Sequence, residues 1–200
     1  QHWHVWEENG RLVYQDENGL LDLPMPALIG AHQVQNAGIA IATLRYLGKG
    51  DTAFEGAMLN ANWPARMQRL RHGPLIDAAG DAEIWLDGGH NKAAGHALAE
   101  ASGRLPDRNL YLVVGMLNTK DATGYMRPLK TRADRLYGVS IPGEAATLSA
   151  QETVDAARKV GFDAEISADF QSAVSDIVKA DPAARILICG SLYLAGNVLQ

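Results

Sequence analysis

From Trp63 and Pro64 onward, short apolar runs alternate with amphipathic helical segments, and this alternation restricts the fold more than any other feature of the sequence. Each apolar run is followed by a segment long enough to carry the chain back to the same end of a sheet, as parallel strands require. We therefore predict an α/β domain over residues 62–200, with a mostly parallel sheet and helices on both faces. The expected strands are 84–86, 110–114, 135–141, 164–166 and 186–189.

Two of the intervening helices have clear end signals. Ser149 and Glu152 have the spacing of a capping box at a helix start, and Gly161 follows as a C-terminal cap. A second helix, with apolar residues on one face over 170–178, is ended by Pro182. These signals support the βαβ interpretation.

The first quarter of the chain has a different pattern, in which strand-like stretches are separated by Asn-Gly pairs. Asn9-Gly10 and Asn18-Gly19 supply the positive φ angles of tight hairpin turns. We expect a three-stranded antiparallel meander, then a helix over 32–47 ended by Gly48. Because residues 1 to about 60 are expected to be too few to enclose a core, we interpret 1–61 as the end of a larger domain. The meander strands are 3–6, 11–14 and 20–23.

Composition excludes several functional classes. The 18 Lys and Arg against 23 Asp and Glu give a net charge of −5, so no general basic surface exists for nucleic acid or an anionic membrane. No apolar run approaches the roughly 18 residues of a membrane span, and no secretory signal is present. The single cysteine, Cys189, fits a reducing compartment, so we expect a cytoplasmic location. Since Gln1 is not methionine, we expect the sequence to be part of a longer protein.

Ligands of open parallel sheets bind beyond the carboxyl ends of the strands, which directs attention to three loops. Each combines glycine with polar or ionisable side chains at a strand-to-helix junction, where backbone can approach an anion closely. Helix capping and tight turns are the structural alternatives for Asp87 and Ser191, and a solvated charge pair is the alternative for Lys120. The loops are 87–91, 115–121 and 190–191.

Several established motifs are missing. The sequence has no G-x-x-x-x-G-K-[ST] and no G-x-G-x-x-G, so a complete ATP or NAD site within these residues is not expected. It also lacks H-E-x-x-H and a Cys-His set, so we expect no metal ligands here, and it lacks the G-x-S-x-G nucleophile motif.

Five phrases in a fixed order resemble the C-terminal half of the folylpolyglutamate synthases, including the bifunctional dihydrofolate synthase type, in the Mur ligase superfamily. The resemblance covers about residues 28–200 and implies a Rossmann-like Mur ligase C-terminal domain over 62–200. Residues 1–61 would then be a hairpin and helix remnant of the central ATPase domain. The phrases are Gly-Ala-His-Gln with Asn-Ala at 30–37, Trp-Pro-Ala-Arg at 63–66, Leu-Asp-Gly-Gly-His-Asn at 86–91, Lys-Asp at 120–121 and Gly-Ser-Leu-Tyr-Leu at 190–194.

The resemblance implies an ATP- and Mg²⁺-dependent ligase that joins L-glutamate to dihydropteroate or folate through an acyl phosphate. The phosphate-binding loop, the metal ligands and most folate contacts would lie upstream, so we expect these 200 residues alone to be inactive and the full-length enzyme to be a monomer. Asn36 would lie near the adenine, in a pocket shaped by His32 and Gln33. Arg66 would reach the ATP phosphates, and Asp87 would help to fix the nucleotide.

The same resemblance assigns His90, Ser191 and Lys120 to the incoming glutamate, and Arg66, Asp87 and His90 to catalysis. Three positions depart from the family pattern. Gly89 and Lys92 stand where Ala and Pro are common in the motif that contains Asp87, and Ala65 stands where Gly is common.

Two other functions stay open at this point. A ligase of the same superfamily that adds an amino acid to a cell-wall precursor is the nearest alternative. A stand-alone Rossmann-like module that binds a small anion or a protein without catalysis is the other.

Overall fold

The computed structural model describes residues 2–133 and 135–200, which form two compact units, Gln1–Pro64 and Ala65–Gln200. The division at Pro64 lies close to the junction at 61 that we expect from the sequence.

The first unit contains the predicted antiparallel meander, with strand order β1-β2-β3. Asn9 and Gly10 have φ angles of 51° and 73°, the left-handed backbone that the Asn-Gly signal predicts. The predicted helix is also present. The elements are β1 (His4–Glu8), β2 (Arg11–Asp16), β3 (Gly19–Pro24), α1 (Ala31–Tyr46) and α2 (Asp51–Asn60).

The expectation that residues 1–60 enclose no core of their own is wrong. Leu12, Tyr14 and Ile41 are buried together with Phe54 and Met58. The last two belong to α2, which the sequence analysis did not predict. Because α2 covers the apolar side of the meander next to α1, the unit encloses an apolar cluster.

The second unit contains, among the described residues, a six-stranded sheet of order β4-β5-β9-β6-β7-β8. All neighbouring strands pair in parallel except β4, which is antiparallel to β5. The predicted α/β class is therefore confirmed. The strands are β4 (Gln68–Arg69), β5 (Glu83–Asp87), β6 (Leu110–Val114), β7 (Arg135–Gly138), β8 (Asp163–Ile166) and β9 (Arg185–Cys189).

Helices cover both faces of this sheet, as alternate residues of the central strand β9 show. Ile186 and Ile188 pack in the cluster that includes α7 and α8, whereas Cys189 lies beside Tyr125 of α5. The helices are α3 (Pro74–Ala79), α4 (Lys92–Gly103), α5 (Ala122–Leu129), α6 (Ala150–Lys159), α7 (Phe170–Ala180) and α8 (Leu192–Val198).

Strand β7 is shorter than predicted, because it ends at Gly138 and not at 141. The hydrogen bonds after Gly138 include two that involve side chains: the N–H of Ile141 donates to the Thr147 hydroxyl over 2.9 Å, and the Ser140 hydroxyl accepts from the backbone N–H of Ala150 at the start of α6. The apolar run of residues 135–141 thus continues into a buried loop. No helix in the described residues is long and apolar enough to cross a membrane.

The capping box of α6 is confirmed in detail. The Ser149 hydroxyl accepts from the N–H of Glu152, and the Glu152 carboxylate accepts from the N–H of Ser149 over 2.9 Å. These hydrogen bonds, with the one to Asp155 from Gln151, fix the start of the helix that follows β7.

Candidate functional site

The three loops selected from the sequence meet at one edge of the second unit's sheet. Strands β5 and β6 both pair with β9, and Asp87, Cys189 and Val114 are aligned in register at their carboxyl ends. Gly190 has a φ of 105°, and a Cβ atom there would lie 2.8 Å from the carbonyl oxygen of Gly115. The loops after β9 and β6 are therefore in contact, and only glycine fits at this point.

Asp87 fixes the backbone around it. Its side chain is buried, with 4% of the residue exposed. One carboxylate oxygen accepts from the N–H of Gly89 over 2.7 Å, and the other accepts from the N–H of Met67 over 2.8 Å. A single buried carboxylate thus holds two segments that are far apart in sequence.

The segment that carries Arg66 has an unusual backbone. Ala65 and Met67, on either side of it, have φ angles of 56° and 41° and are both buried, whereas Arg66 is exposed. Left-handed backbone is costly for residues with a Cβ atom, which accounts for the glycine common in the family at position 65. Backbone strain of this kind persists only where surrounding contacts hold the segment in place. Besides the hydrogen bond from Met67 to Asp87, two further hydrogen bonds hold this segment.

Those two hydrogen bonds involve Ala65. Its carbonyl oxygen accepts from the N–H of Gly88 over 2.8 Å, and its N–H donates to the side-chain oxygen of Gln68 over 2.8 Å. Sequence reasoning missed Gln68, because a side chain that bonds backbone three residues earlier leaves no strong local signal. The guanidinium of Arg66 is therefore presented to solvent by a segment held from both sides.

His90 is half-buried, and its Nδ1 atom lies 3.0 Å from the carbonyl oxygen of Gly88. Since a carbonyl only accepts, Nδ1 carries the proton in this contact. In the neutral imidazole, Nε2 is then the unprotonated nitrogen and can accept a hydrogen bond or a proton.

Ser191 has the capping role considered as its structural alternative. It is 3% exposed, and its hydroxyl oxygen accepts from the N–H of Tyr193 over 3.0 Å at the start of α8. The hydroxyl hydrogen can still be donated to a ligand, because capping uses only the oxygen as acceptor.

Lys120 is exposed in the loop after β6, and Asp121 caps α5. The hydrogen bond from the N–H of Gly124 and that from the Thr123 hydroxyl hold the pKa of Asp121 below its ordinary value, and the charge of Lys92 adds to this effect. Lys92, which replaces the common family proline, therefore lies near the same rim. The pair at 120–121 is thus one capping carboxylate and one exposed cation.

Below the loops, Tyr125 and Cys189 are completely buried side by side. The Tyr125 hydroxyl makes no hydrogen bond of standard geometry within the described part of the chain, although the Cys189 sulfur is adjacent to it. Burial raises the pKa of Cys189 to about 12. The thiol is therefore neutral at physiological pH and is no candidate nucleophile.

The first unit holds the other predicted nucleotide residues at the start of α1. The Gln33 amide nitrogen lies 2.9 Å from Nε2 of His32, and the Gln33 side-chain oxygen accepts from the Asn36 amide over 3.0 Å. Gln33 is buried and Asn36 exposed. The three predicted residues thus form one hydrogen-bonded group, with Asn36 on its solvent side.

The described residues do not fit a metal ion. Among residues 2–133 and 135–200, no group of three His, Cys, Asp or Glu side chains is close enough to hold one. Asp87, the buried carboxylate of the site, has both oxygens on backbone N–H groups.

Comparisons with known proteins agree with this fold. The family model of the Mur ligase glutamate ligase domain matches residues 65–192 of this chain. The chain is 28% identical to the folylpolyglutamate synthase of Lacticaseibacillus casei, over 98% of the chain and 44% of that protein. It is 34% identical to the UDP-N-acetylmuramoylalanine–D-glutamate ligase of Sphingopyxis alaskensis, over 78% of the chain and 33% of that protein.

Among solved structures, E. coli FolC in complex with DHPP and ADP matches with a TM-score of 0.80 and 25% identity, over 98% of this chain and 45% of that one. The chain belongs to the Mur ligase family, and its second unit is the glutamate ligase domain of that family. It spans less than half the length of the curated relatives with which it aligns almost completely.

Proposed function

We propose that this chain is the C-terminal part of an ATP-dependent ligase that joins L-glutamate to dihydropteroate, to folate polyglutamate tails, or to both. The observation that carries the proposal is the pair of hydrogen bonds that the Asp87 carboxylate accepts from the N–H groups of Met67 and Gly89. These bonds fix the exposed Arg66 and the turn that leads to His90 at one edge of the sheet. The folylpolyglutamate synthase of L. casei and the FolC complex with DHPP and ADP support this substrate class.

The reaction has two steps. The terminal phosphoryl group of ATP is transferred to the carboxylate of the pterin substrate, which gives an acyl phosphate and ADP. The amine of glutamate then attacks the acyl carbon, the bond from that carbon to the phosphate oxygen breaks, and an amide and inorganic phosphate are formed.

In the first step, Arg66 offsets the negative charge that develops on the phosphoryl group in transfer. A guanidinium suits this task because it is permanently charged and its fork matches phosphate oxygens. Asp87 acts by fixing the Met67 N–H and thereby the direction in which Arg66 leaves the backbone. Asn36, with His32 and Gln33, shapes the adenine pocket from the first unit.

In the second step, the incoming amine must be deprotonated and directed to the acyl carbon. Nε2 of His90 is the unprotonated nitrogen and accepts a proton or hydrogen bond from the amine. The Ser191 hydroxyl and the Lys120 ammonium bind the glutamate carboxylates. We expect Mg²⁺ to be bound by residues upstream of this sequence, in the part of the enzyme that holds the phosphates.

We further propose that these 200 residues are inactive alone, and that the full-length enzyme is a cytoplasmic monomer. The site described above offers no phosphate-binding loop, so most of the binding energy for ATP must come from elsewhere.

The test is an assay of the full-length protein with ATP, Mg²⁺ and L-glutamate, in which phosphate release is followed with dihydropteroate and with tetrahydrofolate separately. Release that requires glutamate and either pterin supports the proposal and identifies the step. A folded protein that binds ATP but releases no phosphate with either pterin overturns it.

The D-glutamate ligase of S. alaskensis, with 34% identity, favours a second candidate, a ligase that adds an amino acid to a cell-wall precursor. The same assay distinguishes the two when it is repeated with D-glutamate and UDP-N-acetylmuramoylalanine. Phosphate release with this pair, and not with the pterins, assigns the chain to the second candidate.

A further inference from the structure

The second unit contains a cavity that the proposed reaction does not use. It has a volume of about 630 Å³ and lies beside β4, between α3, the first turns of α7 and the end of α8. Cavities that bind small molecules have volumes of roughly 300 to 1,000 Å³. None of the residues proposed to contact ATP, glutamate or pterin lines this cavity; of the residues that shape the candidate site, Gln68, which bonds the backbone beside Arg66, lies on its wall.

The floor of the cavity is apolar. Phe170 and Val174 of α7 are buried and line it, together with the partly buried Leu75 and Val198. Because Phe170 and Val174 are already almost fully buried, an apolar body placed here removes mainly Leu75, Val198 and the exposed Leu199 from water, and burial of this kind is the main source of affinity for small ligands.

The rim of the cavity carries the positive charge of Arg71. Arg71 and His72 line it and are exposed, and neither forms an ion pair with a residue of the described ranges. The nearby Arg69 has its charge offset by Glu83, at 3.2 Å. No Asp or Glu side chain lines the cavity among the described residues, although the whole chain carries a net charge of −5.

Polar groups complete the lining on the other side. Gln171 and Ser175 present an amide and a hydroxyl from the exposed side of α7. Such groups orient a ligand more than they add affinity, because an exposed polar group exchanges hydrogen bonds with solvent for those with a ligand.

We propose that this cavity binds a small amphipathic anion, with an apolar body against Leu75, Val198 and Leu199 and a carboxylate or similar group at Arg71. An inorganic anion alone would leave the floor in water, and a neutral apolar molecule would leave the cationic rim without a partner. The combination of floor and rim therefore selects molecules that have both parts.

The experiment is a titration of the isotope-labelled full chain with 1-naphthoate, followed by the backbone amide resonances. We expect saturable shifts at residues of α3 and α7 that line the cavity. The neutral isostere 1-naphthalenemethanol and inorganic phosphate serve as matched probes, and each is expected to bind at least about tenfold more weakly.

Two variants test the position of the site. Arg71→Glu reverses the charge of the rim, and Ala78→Trp fills the cavity from an exposed position of α3. Each is expected to weaken naphthoate binding at least about tenfold, whereas Lys159→Glu, an equal charge reversal on exposed α6, leaves it unchanged.

Thermal unfolding of every variant verifies that it is folded, and if Ala78→Trp does not fold, Arg71→Glu still decides the question. The proposal is overturned if naphthoate gives no saturable shifts. It is overturned equally if naphthoate, its neutral isostere and phosphate bind alike, or if folded Arg71→Glu binds as tightly as Lys159→Glu.

Discussion

The buried carboxylate of Asp87 accepts a hydrogen bond of 2.8 Å from the backbone N–H of Met67, which lies 20 positions earlier in the chain. Its second oxygen accepts from Gly89, so the segment that presents Arg66 and the turn before His90 share one anchor. The relative positions of Arg66, the proposed phosphate-binding cation, and of His90, the proposed base, thus depend on Asp87, which reaches both segments through backbone N–H groups.

Replacement Asp87→Asn keeps the size of this anchor but turns an N–H₂ group toward one of the two backbone donors. We expect a loss of about 1–3 kcal/mol in the free energy of unfolding, because a buried donor is left without an acceptor. Urea denaturation measures this change in the free energy of unfolding. The control, Asp163→Asn at an exposed strand end, should change stability by less than about 0.5 kcal/mol. Equal losses of stability in the two variants would show that the hydrogen bonds of Asp87 to Met67 and Gly89 do not stabilise the fold.

Gln68 should affect turnover without contacting any substrate. In Gln68→Ala the N–H of Ala65 loses its acceptor, and the strained segment around Arg66 can relax. We expect kcat of the full-length enzyme to fall roughly tenfold, and KM for ATP to change less. Gln68→Glu keeps an acceptor oxygen and should restore most of kcat. If both variants lower kcat equally, the hydrogen bond to Ala65 is not the reason.

Gly95 allows α4 and α5 to approach closely. A Cβ atom at this position would collide with the carbonyl oxygen of Tyr125, and would lie 3.0 Å from Cγ of Pro128. We expect Gly95→Ala to destabilise the chain by about 1–3 kcal/mol through overpacking. Gly196→Ala is the matched control, because it lies within α8 with open space around it. There the helix propensity of alanine should stabilise the fold by up to about 1 kcal/mol.

Glu83 and Arg185 form a buried ion pair at the amino-terminal edge of the sheet, with 2.8 Å between Oε2 and Nε. Burial disfavours the charged carboxylate, but the hydrogen bonds from Arg185 and Trp85 and the charges of Arg185 and Arg69 outweigh it. The pKa of Glu83 is therefore held below its ordinary value of 4.5. The resulting stability is fully present above pH 4.5 and is lost as the pH falls through the lowered pKa.

Removal of this carboxylate leaves Arg185 buried without its counter-ion, so Glu83→Gln should cost about 3–5 kcal/mol at neutral pH. The difference from the unmodified chain should shrink as the pH falls from 4.5, where Glu83 of the unfolded chain takes up its proton, through the lowered pKa of Glu83 in the folded chain. Unfolding free energies measured across the acid range check this. Glu100→Gln, at an exposed pair with Arg104, should cost no more than about 0.5 kcal/mol at any pH. A difference that grows toward acid pH would contradict the assignment.

Local signals in the sequence were sufficient for much of the fold. The Asn9-Gly10 turn and the capping box of Ser149 and Glu152 depend on neighbouring residues and are present as predicted. Each predicted apolar run of the second unit contains a strand, although β7 ends at Gly138 and not at 141. The resemblance to the Mur ligases rests on motifs of the same local kind, and the family match confirms it.

What the sequence did not predict depends on contacts between distant residues or on short elements. Strand β4 has two residues and exists because it pairs with β5. The bond from Met67 to Asp87 spans 20 positions, and the left-handed φ of Met67 follows from it and not from its residue type. Helix α2 was missed because only two of its ten residues, Phe54 and Met58, are buried, which leaves a weak apolar pattern. The catalytic and binding roles of the site residues remain predictions.

The central claim is that Arg66, held by Asp87, acts in ATP-dependent addition of glutamate to a pterin substrate. The most direct test is glutamate-dependent phosphate release by the full-length enzyme carrying Arg66→Ala, compared with Arg135→Ala at an exposed strand start of the same domain. We predict a fall in kcat of at least about a hundredfold for Arg66→Ala, with unchanged unfolding, and near-normal kcat for Arg135→Ala. Near-normal turnover by a folded Arg66→Ala enzyme would contradict the account.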